Sequence, residues 1–215
     1  MSLGRIDSVV FDLDGTLWDT CATCAVGWNN VLRRHGIAFR EITAEDIRGI
    51  MGLPHRECVR RIFVGFPEHQ LALLTDETAS EDNRLAAEMG GAFYPGVEDG
   101  VARLSRRLPL FIVSNCQARY IETFLGLNGM AKHFRDFECW GNTGLSKAGN
   151  LKLIVDRNAL GAPVFVGDAL GDQSAARECG VPFVYVDWGF GECHAADRRF
   201  SSFDALTEWL LLERA

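Results

Sequence analysis

Two carboxylates, Asp12 and Asp14, follow an apolar run near the N-terminus, and a glycine and a threonine come directly after them. Side chains two positions apart on a strand point to the same face, so the carboxylates can project together. Like charges this close repel unless a cation or a shared proton lies between them, and the pair suits an ion such as Mg²⁺. Gly15 permits a sharp turn, where Thr16 offers a hydroxyl and an N–H group. The pattern predicts chemistry at the end of a buried strand.

Two later apolar runs also end in polar residues. Ser114 and Asn115 follow the first run and can donate hydrogen bonds to a phosphoryl oxygen. Asp168 and Asp172 follow the second run, beside flexible glycines, and can complete an oxygen-rich Mg²⁺ site. The alternative interpretation is an ordinary turn for the first pair and a capped turn that enters the helix at Gln173 for the second.

Positive charge is expected from a lysine that comes before the second aspartate pair. Lys147 precedes the predicted helix that leads into that strand, where its ammonium can neutralise a nucleophile and a phosphate together. Lys152, five residues later and on the helix, is the rival candidate. The sequence therefore offers a nucleophile, a proton donor, a cation site and positive charge, which are the parts that phosphoryl transfer needs.

The elements that must position these residues alternate along much of the chain. Strands are predicted over residues 110–113, 137–139, 164–166 and 183–186, after the first strand that ends at Asp12. Helices are predicted over residues 18–34, 97–107, 119–125, 151–158, 173–178 and 203–212. Strands that alternate with helices predict right-handed crossovers and a mainly parallel sheet in an α/β fold.

Residues 18–92 interrupt this alternation, because they have helical patterns and no convincing strand. One helix is capped at Thr43, and two or three more are predicted before the glycine-rich turn at 90–97. A loop after the first strand of an α/β pattern is normally a few residues long, so the helical block is predicted to be an inserted cap domain with that turn as its hinge. The core domain is then residues 1–17 and 93–215.

In this order, the four sets of polar residues resemble the four motifs of the haloacid dehalogenase superfamily, whose members are mostly phosphatases. The segment Asp12-Leu13-Asp14-Gly15-Thr16 resembles the family signature, and the resemblance covers essentially the whole chain. It implies a Rossmann-like core with a parallel sheet and an inserted α-helical cap. It also implies Mg²⁺-dependent hydrolysis of a small phosphorylated metabolite through an aspartyl-phosphate, with Asp12 as the nucleophile and Asp14 as the general acid and base.

The resemblance also assigns the remaining motif residues. Ser114 matches the hydroxyl of the second motif and Lys147 the lysine of the third. Mg²⁺ is implied to bind Asp12, the backbone carbonyl of Asp14 and Asp168, with Asp172 as a further ligand or as a residue that orients metal-bound water. The implied phosphate-binding residues are Gly15, Thr16, Ser114, Asn115 and Lys147.

The position of the insertion is similar to that in the phosphoglycolate phosphatase and β-phosphoglucomutase groups, so a phosphomutase with the same core residues is an alternative. A signalling receiver or a non-catalytic phosphate-binding module is the alternative from another class, but a silent module is expected to have lost at least one motif residue. Dehalogenation is disfavoured by the second aspartate. Arg48, Met51, His55 and Arg56 are predicted to face the site from the cap, where either arginine can pair with a second anionic group of the substrate.

Composition limits the partners and the setting. With 47% apolar residues and a net charge of −7, the 215-residue chain can bury a core and shows no broad basic surface for nucleic acid or an anionic membrane. No apolar run is long enough to span a bilayer. Seven scattered cysteines and no recognisable signal peptide favour a reduced, cytoplasmic setting for a monomer or homodimer. The pair Cys21 and Cys24 is interpreted as half-buried helix residues.

Overall fold

The computed structural model describes residues 5–213, apart from the side chain of Asn128. In chain order, its strands are β1 (Ser8–Phe11), β2 (Trp18–Asp19), β3 (Ala92–Phe93), β4 (Leu110–Ser114), β5 (Phe134–Cys139), β6 (Pro163–Gly167), β7 (Phe183–Val186) and β8 (Arg198–Phe200). Its α-helices are α1 (Cys21–Arg34), α2 (Ala44–Arg48), α3 (His55–Ile62), α4 (Glu68–Met89), α5 (Val97–Leu104), α6 (Tyr120–Gly126), α7 (Trp140–Thr143), α8 (Lys147–Arg157), α9 (Leu170–Cys179) and α10 (Phe203–Leu212).

Six strands form one parallel sheet in the order β5-β4-β1-β6-β7-β8, which confirms the predicted α/β class. The central strand β1 lies between β4 and β6, so the three strands that end in candidate residues are neighbours. The edge strand β8 is absent from the sequence prediction. Two arginines in its three residues give no apolar strand pattern.

Both faces of the sheet are covered by helices, which explains why its central strands are continuous apolar runs. Phe11 of β1 packs on one face, with its ring stacked 6.0 Å from that of Phe203 in α10. Val10 packs on the opposite face in a cluster with Leu151 of α8. A one-residue slip would exchange these faces, so the packing fixes the register in which β1 delivers Asp12.

Helices α1 to α4 connect to the sheet through a short antiparallel ribbon, in which Trp18 of β2 pairs with Phe93 of β3. These helices bury an apolar cluster of their own around Trp28. The ribbon also explains why α1 begins at Cys21 and not at residue 18, because Trp18 and Asp19 are used for strand pairing. The two or three helices predicted after the one capped at Thr43 are two, α3 and the 22-residue α4.

Two helices of the sheet region begin earlier than predicted, and both shifts affect candidate residues. Helix α8 begins at Lys147 because the hydroxyl of Ser146 caps it, accepting the N–H of Gly149 at 3.1 Å. Lys147 is therefore the first residue of the helix and does not precede it. Helix α9 begins at Leu170, which puts Asp172 in its first turn.

The cysteines are all unpaired. Cys21 and Cys24 lie at the start of α1, as predicted, but they are fully and not half buried. No helix within residues 5–213 is long and apolar enough to cross a membrane.

Candidate active site

The polar ends of β1, β4 and β6 meet at one edge of the sheet. Asp12 directly follows β1, Ser114 is the last residue of β4, and Asp168 directly follows β6. The N–H of Asp12 donates to the carbonyl of Val166 at 2.8 Å, which extends the strand pairing and fixes the backbone at Asp12. All three polar side chains are buried. Residues more than 150 positions apart thus share one edge because neighbouring parallel strands end there.

Lys147 lies at the centre of the acidic residues. Its Nζ is 3.0 Å from Asp12 Oδ1 and 2.6 Å from Asp172 Oδ1, and all three side chains are almost fully buried. Burial alone would lower the pKa of Lys147, but the two carboxylates outweigh this and raise it well above its usual value, so the ammonium stays charged. Lys152, the rival candidate, is 69% exposed and pairs with Asp156 on the surface of α8. Of the two candidate lysines, Lys147 is therefore the one that lies beside these acids.

Backbone N–H groups hold the second aspartate pair in place. Asp172 Oδ2 accepts the N–H groups of Asp168 and Ala169 at 3.1 and 3.0 Å, so its side chain caps the helix in which it lies. Asp168 Oδ2 accepts the N–H groups of Phe190 and Gly191 at 2.7 and 3.3 Å. Both carboxylates therefore have a fixed orientation before any ligand binds.

Thr16 supports the same group from the turn after β1, since its hydroxyl donates to Asp168 Oδ1 at 3.2 Å. The signature segment and the second aspartate pair are thus in direct contact.

Three carboxylates at this edge could hold a metal ion. Oxygen atoms of Asp12, Asp168 and Asp172 lie within 4.8 Å of one another. Within the described part of the chain, Lys147 is the one ammonium paired with them, so the buried negative charge exceeds the positive. Burial, with the Asp172 charge next, raises the pKa of Asp12 well above its usual value and that of Asp168 to about 6. A compact set of carboxylate oxygens with excess negative charge fits an ion such as Mg²⁺.

Asp14 has a different environment from Asp12. Its Oδ1 accepts hydrogen bonds from the Tyr120 hydroxyl at 3.1 Å and from the Thr20 hydroxyl at 3.4 Å. Burial raises the pKa of Asp14 to about 7, although the Tyr120 hydrogen bond lowers it. A carboxyl group that changes protonation near neutral pH is suited to give and take a proton. Tyr120 and Thr20 carry no motif signal, and sequence reasoning missed both.

A cavity of about 530 Å³, including its part open to solvent, begins at these acids. Asp12, Asp14 and Ser114 line its base, and side chains from α1 to α4 and their loops form the opposite wall. Ser114 Oγ accepts the N–H of Cys116 at 3.2 Å, which leaves its hydroxyl proton for another partner. Asn115 lines the same cavity, but its amide donates to the carbonyl of Gly52 at 2.8 Å and so joins the sheet to the opposite wall.

The residues predicted to face the site from the helical segment have separate locations. Met51 and His55 line the cavity. Arg48 pairs with Asp19 at 2.8 Å and does not line it. Arg56 lies elsewhere than expected, because it is 62% exposed and pairs with Glu68 on the surface of the helices. Neither arginine lines the cavity in this structure, so the predicted pairing of either one with a substrate group stays a prediction.

Gly15 is required by both backbone and side-chain geometry. Its φ of +84° is unfavourable for other residues, and a Cβ atom there would collide with the Asp168 carboxylate. We expect Gly15→Ala to lower the free energy of unfolding by about 1–3 kcal/mol. Gly171→Ala is the matched control, since its Cβ would meet nothing within 4 Å, and its effect should stay below about 1 kcal/mol. Urea titrations compare the two, and equal stabilities would contradict the proposed collision.

Comparison with known proteins agrees with this geometry. The family model described as haloacid dehalogenase-like hydrolase matches residues 9–186. The chain belongs to this family. It is 31% identical over 214 residues to a phosphoglycolate phosphatase from Synechococcus elongatus, which covers 96% of the chain and 92% of the relative. A phosphoglycolate phosphatase from Agrobacterium fabrum is 27% identical over 192 residues, with 84% and 80% covered.

Solved structures of other proteins have the same fold as this chain. A predicted phosphatase from Clostridium acetobutylicum superposes with a TM-score of 0.83 at 18% identity, over 97% of this chain and all of that one. Family and relatives together identify the protein as an enzyme, a phosphatase of the phosphoglycolate phosphatase group. The expected superfamily and enzyme class are therefore confirmed.

Proposed function

We propose that this phosphatase hydrolyses a small phosphomonoester in a Mg²⁺-dependent reaction that passes through an aspartyl-phosphate on Asp12. The observation that carries the proposal is the Asp12 carboxylate at the base of the cavity, 3.0 Å from the Lys147 ammonium. An in-line attack on phosphorus needs a fixed carboxylate and nearby positive charge, and this pair supplies both.

The other residues at the base of the cavity support that attack. Asp12, the backbone carbonyl of Asp14 and Asp168 would hold Mg²⁺, with Asp172 as a ligand or as a partner of metal-bound water. When bound, Mg²⁺ supplies positive charge that stabilises the phosphoryl oxygens. Ser114 donates its free hydroxyl proton to a phosphoryl oxygen. Gly15, Thr16, Asn115 and Lys147 complete the proposed phosphate-binding set.

Asp14 transfers the protons. Its raised pKa, about 7, lets it carry a proton at neutral pH and give it to the oxygen of the leaving alcohol. The resulting carboxylate then takes a proton from the water that attacks the aspartyl-phosphate, and inorganic phosphate is released. Tyr120 and Thr20 keep the carboxyl group oriented through both steps.

We also propose that residues 18–92 act as a cap over residues 1–17 and 93–215. Support comes from the ribbon through which α1 to α4 connect to the sheet and from the contact between Asn115 and Gly52 across the cavity. Closure of the cap excludes water and strengthens the electrostatic interactions at the phosphoryl group. A reduced, cytoplasmic monomer or homodimer acting on a small phosphorylated metabolite is the proposed setting, and the unpaired cysteines are compatible with it.

Phosphate release and trapping of the intermediate test this function together. Release from a panel of phosphorylated metabolites and an aryl phosphate should require Mg²⁺ and stop with a chelator. Acid quenching during turnover of a labelled substrate should leave phosphate on the protein, in a linkage that hydroxylamine cleaves, as expected of an acyl phosphate. Metal-independent release would contradict the proposed cofactor. A label that moves to a second hydroxyl of a sugar phosphate, with no release, would indicate a phosphomutase.

A further inference from the structure

One carboxylate lies in the wall that the helices contribute to the cavity. Asp82 of α4 lines the cavity and is only 4% exposed. Its Oδ2 accepts the indole N–H of Trp28 at 3.1 Å, whereas its Oδ1 has no hydrogen-bond partner. His55 Nδ1 is 4.0 Å from Oδ2, which is too long for a hydrogen bond. A buried carboxylate oxygen without a donor is costly, so a group that supplies one would stabilise the site.

The same wall offers no positive charge. Among the described residues that line the cavity there is no arginine or lysine. His55 is the one imidazole there, and burial lowers its pKa to about 4, so it is neutral at neutral pH. Its Nε2 is 2.9 Å from the hydroxyl of Thr78. Burial also raises the pKa of Asp82 to about 7, although the Trp28 hydrogen bond lowers it. At neutral pH the group is therefore divided between its acid and its carboxylate form, and a bound hydrogen-bond donor would favour the carboxylate.

The remaining surface of this wall is mainly apolar. Ile47, Ile50, Met51 and Leu53 line it beside Asp82. In such surroundings a substrate carboxylate or second phosphate would be desolvated beside an acidic residue, with no cation to pair with. A hydroxyl or ammonium group would instead donate to the free oxygen of Asp82.

We propose that Asp82 is a specificity-determining residue that binds a hydrogen-bond donor, a hydroxyl or an ammonium group, at the non-phosphate end of the substrate and selects against a second anionic group. This inference rests on the proposed phosphatase function, which supplies the phosphate end of the substrate at Asp12. It separates this chain from the substrate after which its relatives are named, since 2-phosphoglycolate carries a carboxylate.

A panel that varies only the distal group tests the inference. Phosphoethanolamine, 2-hydroxyethyl phosphate, ethyl phosphate and 2-phosphoglycolate share two carbons and end in an ammonium, a hydroxyl, a methyl and a carboxylate. Four-carbon homologues place the same four groups farther from the phosphate. At each chain length, we compare the compound that ends in an ammonium and the one that ends in a hydroxyl with the one that ends in a carboxylate. The better of the first two should exceed the carboxylate in kcat/KM by about tenfold or more. The one with the higher kcat/KM, ammonium or hydroxyl, identifies the donor that Asp82 prefers.

Two variants on one helix show whether Asp82 causes the preference. Asp82→Asn keeps the size and an acceptor for Trp28 but removes the charge, and should reduce the ratio of donor to carboxylate by about tenfold. Asp76→Asn, at an exposed position of α4, is the matched control and should leave the ratio unchanged. Thermal unfolding establishes that both variants are folded. If Asp82→Asn does not fold, the ranking by the wild-type enzyme still decides.

The outcomes separate the two proposals. Equal or faster turnover of the carboxylate members by the wild type, or an unchanged ratio in folded Asp82→Asn, would overturn the role of Asp82 and leave the phosphatase function standing. Failure of the wild type to release phosphate from any panel member and from an aryl phosphate would overturn the proposed function, and this inference with it.

Discussion

Replacement of Asp12 by asparagine should lower kcat by about four orders of magnitude without unfolding the protein. An amide is a poor nucleophile, so no acyl phosphate forms on it. The fold should persist because asparagine has nearly the same volume and because the backbone N–H that bonds to Val166 is unchanged. The amide oxygen can still accept a hydrogen bond from Lys147.

Single-turnover phosphate release measures the expected loss of rate in Asp12→Asn, and circular dichroism establishes that the variant is folded. Asp99→Asn, at an exposed position of α5, is the control that should retain full activity. Loss of the hydroxylamine-sensitive label in Asp12→Asn, with the label intact in the control, would assign the intermediate to this side chain. More than a tenth of the wild-type rate in a folded Asp12→Asn protein would overturn the proposed nucleophile.

Replacement of Lys147 by methionine should abolish activity and also leave the buried carboxylates without their ammonium partner. The side chain keeps its length, but Asp12 and Asp172 lose the ammonium that pairs with them at 3.0 and 2.6 Å. Removal of one partner from a buried ion pair typically costs about 3–5 kcal/mol of stability. We expect a loss of this size in the free energy of unfolding at pH 7, measured with chelator present.

The pH dependence of Lys147→Met gives a second, independent test. Even with the lysine present, burial raises the pKa of Asp12 well above its usual value and that of Asp168 to about 6. Without the lysine, the folded protein should bind more protons than the unfolded chain. Because loss of the ammonium raises both pKa values further, its free energy of unfolding should fall more steeply than that of the wild type as pH rises from about 4 to 7.

Urea titrations at several pH values measure this slope. Lys152→Met is the control, because that lysine is 69% exposed and its loss should change stability by less than about 1 kcal/mol. A stability of Lys147→Met that falls no more steeply with pH than that of the wild type would contradict the assigned pairing of Lys147 with these carboxylates.

Much of the site follows from local sequence. Asp12, Ser114 and Asp168 each end an apolar run, and an all-parallel arrangement of β1, β4 and β6 brings those ends to one edge. The rule that such sheets hold ligands at that edge needs no knowledge of side-chain packing. The choice between Lys147 and Lys152 does need it, since both are ordinary lysines in sequence and only the capped start of α8 turns Lys147 inward.

Contacts between distant helices explain what the sequence does not reveal. Tyr120 reaches Asp14 across 106 positions, and no local pattern marks either as a partner. Asp82 lies next to Glu81 on a polar stretch of α4 that would normally face solvent, and only the packing of Trp28 against it shows that it is buried. The locations of Arg48 and Arg56 likewise depend on how the helices pack.

The antiparallel ribbon of β2 and β3 has a consequence for how the enzyme can diversify. Every helix of the segment between Trp18 and Phe93 is inserted at that single crossing, so the wall around Asp82 is formed by one continuous stretch of the amino-acid sequence. The groups that act on phosphorus are encoded outside it. Substitutions within this stretch can therefore change substrate selectivity without replacing the residues that act on phosphorus. A pocket in which the same segment supplied both sets of residues would not allow such modularity.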